Sequence, residues 1–133
     1  VEDMLETNIP VVHPDMTLGD MVKVISTSQR NIFPVVNDDG KLQGLVLLND
    51  IRNIMFRPEL YDRFKVNKFM VGSPAEIKID TPMEKVMNTF EDTKAWNLPV
   101  VDSDGVYMGI LSQSSVFNYY REVLLENYSD EEE

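Results

Sequence analysis

Apolar residues recur along this chain in two alternating rhythms, and the same pair of rhythms comes round twice. Leu18, Met21, Val22 and Ile25 fall at i, i+3, i+4 and i+7, the spacing that lays one apolar stripe along a helix. Met83, Val86, Met87 and Phe90 repeat that spacing further on. Ahead of the second stripe, Thr81-Pro82-Met83-Glu84 predicts a capping box, with Pro82 at the first helical position. A short extended piece, residues 10–12 or 76–79, leads into each stripe, and two apolar runs parted by a turn follow it. The first hairpin is predicted over residues 33–36 and 42–48, turning at Asp38-Asp39-Gly40. The second covers residues 98–101 and 106–111, turning at Ser103-Asp104-Gly105. The turn glycines supply positive φ at little steric cost. Asn49 and Ser112 then stand where the N-cap of a further helix belongs. Ile51, Ile54 and Met55 follow the first, and Val116, Tyr119, Tyr120 and Val123 the second.

These elements belong to one duplicated unit. Phe33-Pro34-Val35-Val36 lies beside Leu98-Pro99-Val100-Val101 at an offset of 65 positions, and the register holds without a gap through Gly44 and Gly109. It also pairs Val12 with Ile77, Asp15 with Asp80, Leu18 with Met83 and Ile25 with Phe90. The order in each copy is β-α-β-β-α. The run Leu45-Val46-Leu47-Leu48 is apolar on both faces, so its sheet must be covered on both sides. Two copies packed together supply that cover. The expectation is an α/β (α+β) fold of two repeats in one pseudo-two-fold module: repeat one with its connecting segment over 1–65, repeat two over 66–128. Residues 129–133, with no apolar side chain, are expected to form a disordered acidic tail.

Composition narrows the function classes. Asp and Glu outnumber Lys and Arg by 23 to 12, a formal net charge of -11, which repels nucleic acid phosphates. The absence of cysteine removes disulfides, thiol chemistry and thiolate metal sites. His13, the single histidine, precedes Pro14 in an expected loop and reads as a surface residue. The longest apolar run is far shorter than the ~20 residues of a membrane helix. There is no P-loop, Gly-rich dinucleotide turn or nucleophile motif, so no catalytic residue is assigned and the chain is not expected to be an enzyme. The eight methionines sit mostly at helical core spacing. Between Ile51 and Met70, Arg52, Arg57, Arg63, Lys65 and Lys68 outnumber Glu59 and Asp62. That local excess reads either as a solvated linker or as a contact strip, for nucleotide phosphates or for an acidic surface on a partner subunit. The first residue is Val, which fits a piece of a longer polypeptide as well as a processed start.

The duplicated phrase hydrophobic-Pro-Val-Val-x-x-x-Gly-x-x-x-Gly, followed by an apolar strand and a helix start, resembles the CBS domain. A tandem pair of such domains, the Bateman module, is a regulatory unit that commonly binds adenine nucleotides between its repeats. The stretches Thr93 through Val101, Tyr107 through Phe117 and Tyr120-Arg121-Glu122, together with Asn49 through Arg52 and Phe56 through Tyr61, are further similar to the cytosolic C-terminal pair of bacterial CLC-family chloride channels and transporters. That resemblance implies a pair attached to its own membrane domain at the cytoplasmic face of the cell membrane, a homodimer, modulating ion transport. The alternative is a regulatory pair of a magnesium transporter, a nucleotide-metabolising enzyme or a free-standing sensor. No cofactor is required, and the implied ligand is ATP, ADP or AMP.

In this family an aspartate at the start of the second helix usually holds the ribose, and a Ser or Thr three residues earlier assists with phosphate. A carboxylate accepts from both ribose hydroxyls, while helix-terminal N–H groups and a hydroxyl donate to phosphate. Copy one has Asp50 at the aspartate position but Leu47 in place of the hydroxyl; copy two has Ser112 at the hydroxyl position but Ser115 in place of the aspartate. Neither copy is complete, which leaves at best one weak or composite site. The residues entering each Pro-Val-Val strand, Asn31, Ile32 and Phe33 or Trp96, Asn97 and Leu98, are implied to line the adenine pocket. Trp96 stacks on a base, plugs the cleft or packs at a subunit contact. Helices near Ile54, Met55 and Phe56 and near Phe117, Tyr119 and Tyr120 are the expected dimer contacts.

Overall fold

The computed structural model describes the backbone of residues 2–132 and the side chains of residues 2–126. The fold is mixed α and β, two copies of one arrangement. In copy one, helix α1 (Leu18–Ile25) buries Leu18, Met21 and Ile25, and strands β1 (Ile32–Val36) and β2 (Leu42–Leu47) form an antiparallel hairpin. A short helix α2 (Leu48–Ile51) follows. In copy two, β3 (Ile77–Lys78) pairs in parallel with β4 (Asn97–Val101), which pairs antiparallel with β5 (Tyr107–Ser112). Helix α3 (Met83–Thr93) lies between β3 and β4, and α4 (Gln113–Glu132) closes the chain. The side chains of the expected acidic tail, 129–133, lie outside the described residues. The copy-one counterpart of β3 is a single parallel bridge, Val12 to Val35.

Both hairpin turns are built by one device. Asn37 Oδ1 accepts from the Asp39 and Lys41 amides at 3.0 and 2.9 Å, and Asp102 Oδ1 accepts from Asp104 and Val106 at 2.8 and 3.0 Å. Gly40 and Gly105 hold φ of 79° and 86°, the left-handed conformation the turn needs. The two turns meet. The Leu42 amide donates to Gly105 O at 3.1 Å, and the Tyr107 amide donates to Gly40 O at 2.9 Å, so the pseudo-two-fold axis passes between the hairpins.

The copies exchange their leading segments. Glu6 bridges Ile110 of β5, and its counterpart Val71 bridges Leu45 of β2. Met4 and Leu5 pack on the core of copy two (Ile77, Val86, Phe90, Leu98, Val100, Leu111, Val116), while Phe69 and Met70 pack on that of copy one. Each hydrophobic core is therefore closed by the other copy, which is the cover the apolar strands require. The exchange explains two glycines in the repeated phrase. A Cβ on Gly44 would stand 2.7 Å from Val71 O, and one on Gly109 would stand 3.1 Å from Glu6 O.

Three local expectations are corrected. The capping box at Thr81 does not form: the N-cap of α3 is Pro82, with no side-chain cap. Pro82 is the repeat counterpart of Thr17, whose Oγ1 does cap α1 by accepting from the Asp20 amide at 3.1 Å. Asn49 is not a cap either; α2 begins at Leu48, leaving Leu47 at the N-cap without a capping group. The second strand of copy one consequently ends at Leu47 rather than at residue 48.

Candidate functional site

Where the exchanged segments cross, they leave a cavity of about 660 Å³ between the copies. Copy one contributes Glu6, Ile9, Gln29, Arg30, Asn31, Ile32, Leu45, Leu47, Asn49 and Asp50, and copy two contributes Val71, Gly72, Pro74, Trp96 and Asn97. A drug-sized ligand occupies such a volume, and its walls mix apolar surface with a few convergent polar groups.

The polar groups arrive from identifiable elements. Asp50 lies in the first turn of α2, where a carboxylate faces the positive end of the helix backbone. Its side chain is exposed, as is that of Asn49. Asn31 and Ile32 enter β1, and Trp96 and Asn97 enter β4, so the two strand openings face one another across the axis. Trp96 is 78% exposed, an indole at the cavity wall. Five of the eight site residues expected from the sequence, Asp50, Asn31, Ile32, Trp96 and Asn97, are brought together here.

The other three are not on the wall. Phe33 and Leu98 are fully buried, one in each hydrophobic core, because alternation along the strand turns them away from the opening. Ser112 is engaged with its own helix: its Oγ accepts from the Ser115 amide at 3.2 Å and lies 2.8 Å from Ser115 Oγ. The cavity is thus asymmetric, with the α2 side of copy one on its wall and the corresponding serines of copy two off it.

Sequence reasoning missed an ion pair on the wall. Arg30 Nη1 lies 2.7 Å from Glu6 Oε2, with side chains 41% and 29% exposed. The contact is close but not aligned, since Oε2 is buried and accepts no hydrogen bond. The Tyr107 hydroxyl is also buried without a partner. Burial, and secondarily the Glu6 charge, push the Tyr107 phenol up to about 12. Arg30 follows the α1 stripe and Glu6 precedes the first extended piece. Only the exchange of segments brings them together, and no periodicity signals it. Among the described residues no cluster of His, Asp or Glu is placed to hold a metal ion, and no helix is long and apolar enough to cross a membrane.

The family model for the CBS domain matches residues 1–57 and 66–122. A CBS domain-containing protein of Dictyostelium discoideum is 26% identical over 93% of this chain and 92% of its own length. Homoserine O-acetyltransferase of Methanococcus vannielii is 22% identical over 89% of this chain, which spans only 24% of that enzyme. Among solved structures, CBSX2 in complex with AMP superposes with a TM-score of 0.72 at 26% identity, covering 92% of this chain and 96% of that one.

Proposed function

The chain belongs to the CBS domain family, matched over both of its copies, and from that premise we propose that it is a regulatory pair that binds an adenine nucleotide in the cavity between them. The observation that carries this reading is the convergence of Asp50, Asn31, Asn97 and Trp96 on one cavity of about 660 Å³. The adenine ligand of CBSX2, a structural neighbour over nearly the whole chain, supports it. In the proposed complex Asp50 accepts from the ribose hydroxyls, Trp96 stacks on the base, and Asn31 and Asn97 reach its polar edge. Differential contact with two arrangements of the copies would then shift the equilibrium of whatever the pair is attached to. Calorimetric titration with ATP, ADP, AMP and Mg²⁺ tests the reading. Saturable binding of an adenine nucleotide is expected, and heats no larger than dilution for all three would contradict it.

For the larger assembly, we infer a chloride channel or transporter of the CLC type, with its membrane domain as partner and the pair at the cytoplasmic face. The sequence phrase from Thr93 to Glu122 supports this. A free-standing sensor is the second reading, favoured by the Dictyostelium relative, whose length this chain covers to 92%. The full-length gene separates the two: many apolar helices upstream support the first, their absence the second.

A further inference from the structure

We propose that Glu6 is a specificity-determining residue of the cavity: its carboxylate occupies the place on Arg30 that a ligand phosphate would take, so that adenine ligands with a single phosphate are favoured over those with more. The proposal rests on the adenine-nucleotide reading and deepens it. Among the described residues only three charged ones line the cavity, Glu6, Arg30 and Asp50, and Arg30 is the one cation. A guanidinium presents a planar fork of donors that matches phosphate oxygens two at a time. Here that fork already has an anion 2.7 Å away.

The geometry makes the occupant displaceable. Glu6 Oε2 is buried beside Arg30 yet accepts no hydrogen bond, so it holds the guanidinium by charge alone. A phosphate offers aligned, charge-assisted hydrogen bonds and can take the fork. The Glu6 backbone stays where it is, tied to Ile110 by hydrogen bonds of 2.9 and 3.0 Å, so only its side chain swings. The Tyr107 hydroxyl is a buried donor without a partner, and the Glu6 charge acts on it. Second and third phosphates gain nothing comparable. They find no further cation on the wall, and they add to the repulsion from Glu6 and Asp50.

The test is titration of adenosine, AMP and ATP without magnesium at low salt, followed by fluorescence of Trp96, the chain's single tryptophan. The full chain is compared with Glu6→Gln and Arg30→Gln, with melting curves showing that each variant is folded. The wild type is expected to bind AMP more tightly than ATP. Glu6→Gln should tighten AMP by about two- to fivefold and ATP by more, the scale of one relieved charge competition. Adenosine should move by less than about twofold, since it carries no charge to compete. Arg30→Gln should bring AMP down to the adenosine level. AMP binding that is unmoved or weakened by Glu6→Gln, or wild-type preference for ATP, overturns the role of Glu6 and leaves the adenine reading standing. No binding of any of the three by the wild type overturns both.

Discussion

Leu47 and Ser112 stand at the same position in the two copies, each where a strand passes into a helix, and only Ser112 has a side chain that caps the helix it precedes. The consequence runs in both directions. The capped α4 runs from Gln113 to Glu132, and the uncapped α2 from Leu48 to Ile51. Leu47 instead lines the cavity, beside Asp50, while Ser112 is bound to Ser115 and lies off the wall. The carboxylate suited to ribose and the hydroxyl suited to phosphate have been separated into different copies.

Ser112→Ala should therefore cost stability rather than affinity. Loss of an N-cap hydroxyl costs about 1 kcal/mol, a fall of about 3–5 °C in Tm at this chain length. AMP affinity is expected to stay within about twofold, because the hydroxyl does not reach the cavity. Calorimetric melting and titration on the same sample check both halves.

Gly44→Ala should be the more damaging of the two repeated-glycine substitutions. Its Cβ would meet the Val71 carbonyl oxygen at 2.7 Å, against 3.1 Å from Glu6 O at Gly109. Both obstacles are backbone atoms held in bridges between copies, so neither can yield as a flexible side chain would. Urea unfolding should show a loss of about 1–3 kcal/mol at Gly44, the usual cost of forced overpacking, and a smaller one for Gly109→Ala.

Stability should also fall at high pH through Tyr107. Its phenol has an unfolded value of 10.0 and is pushed up to about 12 in the fold, chiefly by burial. Below pH 10 both states keep the proton and the contribution is intact. As the pH rises from 10 towards 12, the unfolded state ionises first, and stability is lost. Tyr107→Phe should flatten that alkaline decline in denaturant midpoints, and an unchanged decline would exclude Tyr107 as its source.

The duplication, the four strands of the two hairpins, the α1 and α3 stripes and the turn glycines were all legible because each is a local pattern repeated at one offset. The caps at Thr81 and Asn49 were misplaced because several polar residues near a helix start satisfy the same local rule. The register of the repeat decides among them: Pro82 corresponds to Thr17, and Leu47 to Ser112. A third of the cavity wall was out of reach for a different reason. Glu6, Ile9, Val71, Gly72 and Pro74 come to the cavity on exchanged segments that pair through single bridges, too short to carry a period. Phe33 and Leu98 lie one step of strand alternation away from the wall, in the two cores.

Self-association is expected through the apolar residues that the fold leaves exposed. Phe56 is 76% exposed, and Tyr119 and Tyr120, on α4, are 46% and 39% exposed. A homodimer would bury such residues at its centre. The net charge of -11 opposes it at low ionic strength. Sedimentation should therefore show a dimer that strengthens with added salt. A monomer throughout, even at ~1 mM, would leave less than about 4 kcal/mol of association free energy and contradict it.

Calorimetric titration of AMP into the wild type and into Asp50→Ala, side by side, tests the adenine-nucleotide site most directly. Asp50 is the one carboxylate on the cavity wall in the first turn of a helix, and it is proposed to accept from the ribose. Its removal should weaken AMP by about 1.5–3 kcal/mol, the worth of hydrogen bonds to a charged acceptor, while the melting temperature changes little. Equal affinity in the two proteins would contradict the assignment of the ribose to copy one and, with it, the account of this cavity as a nucleotide site.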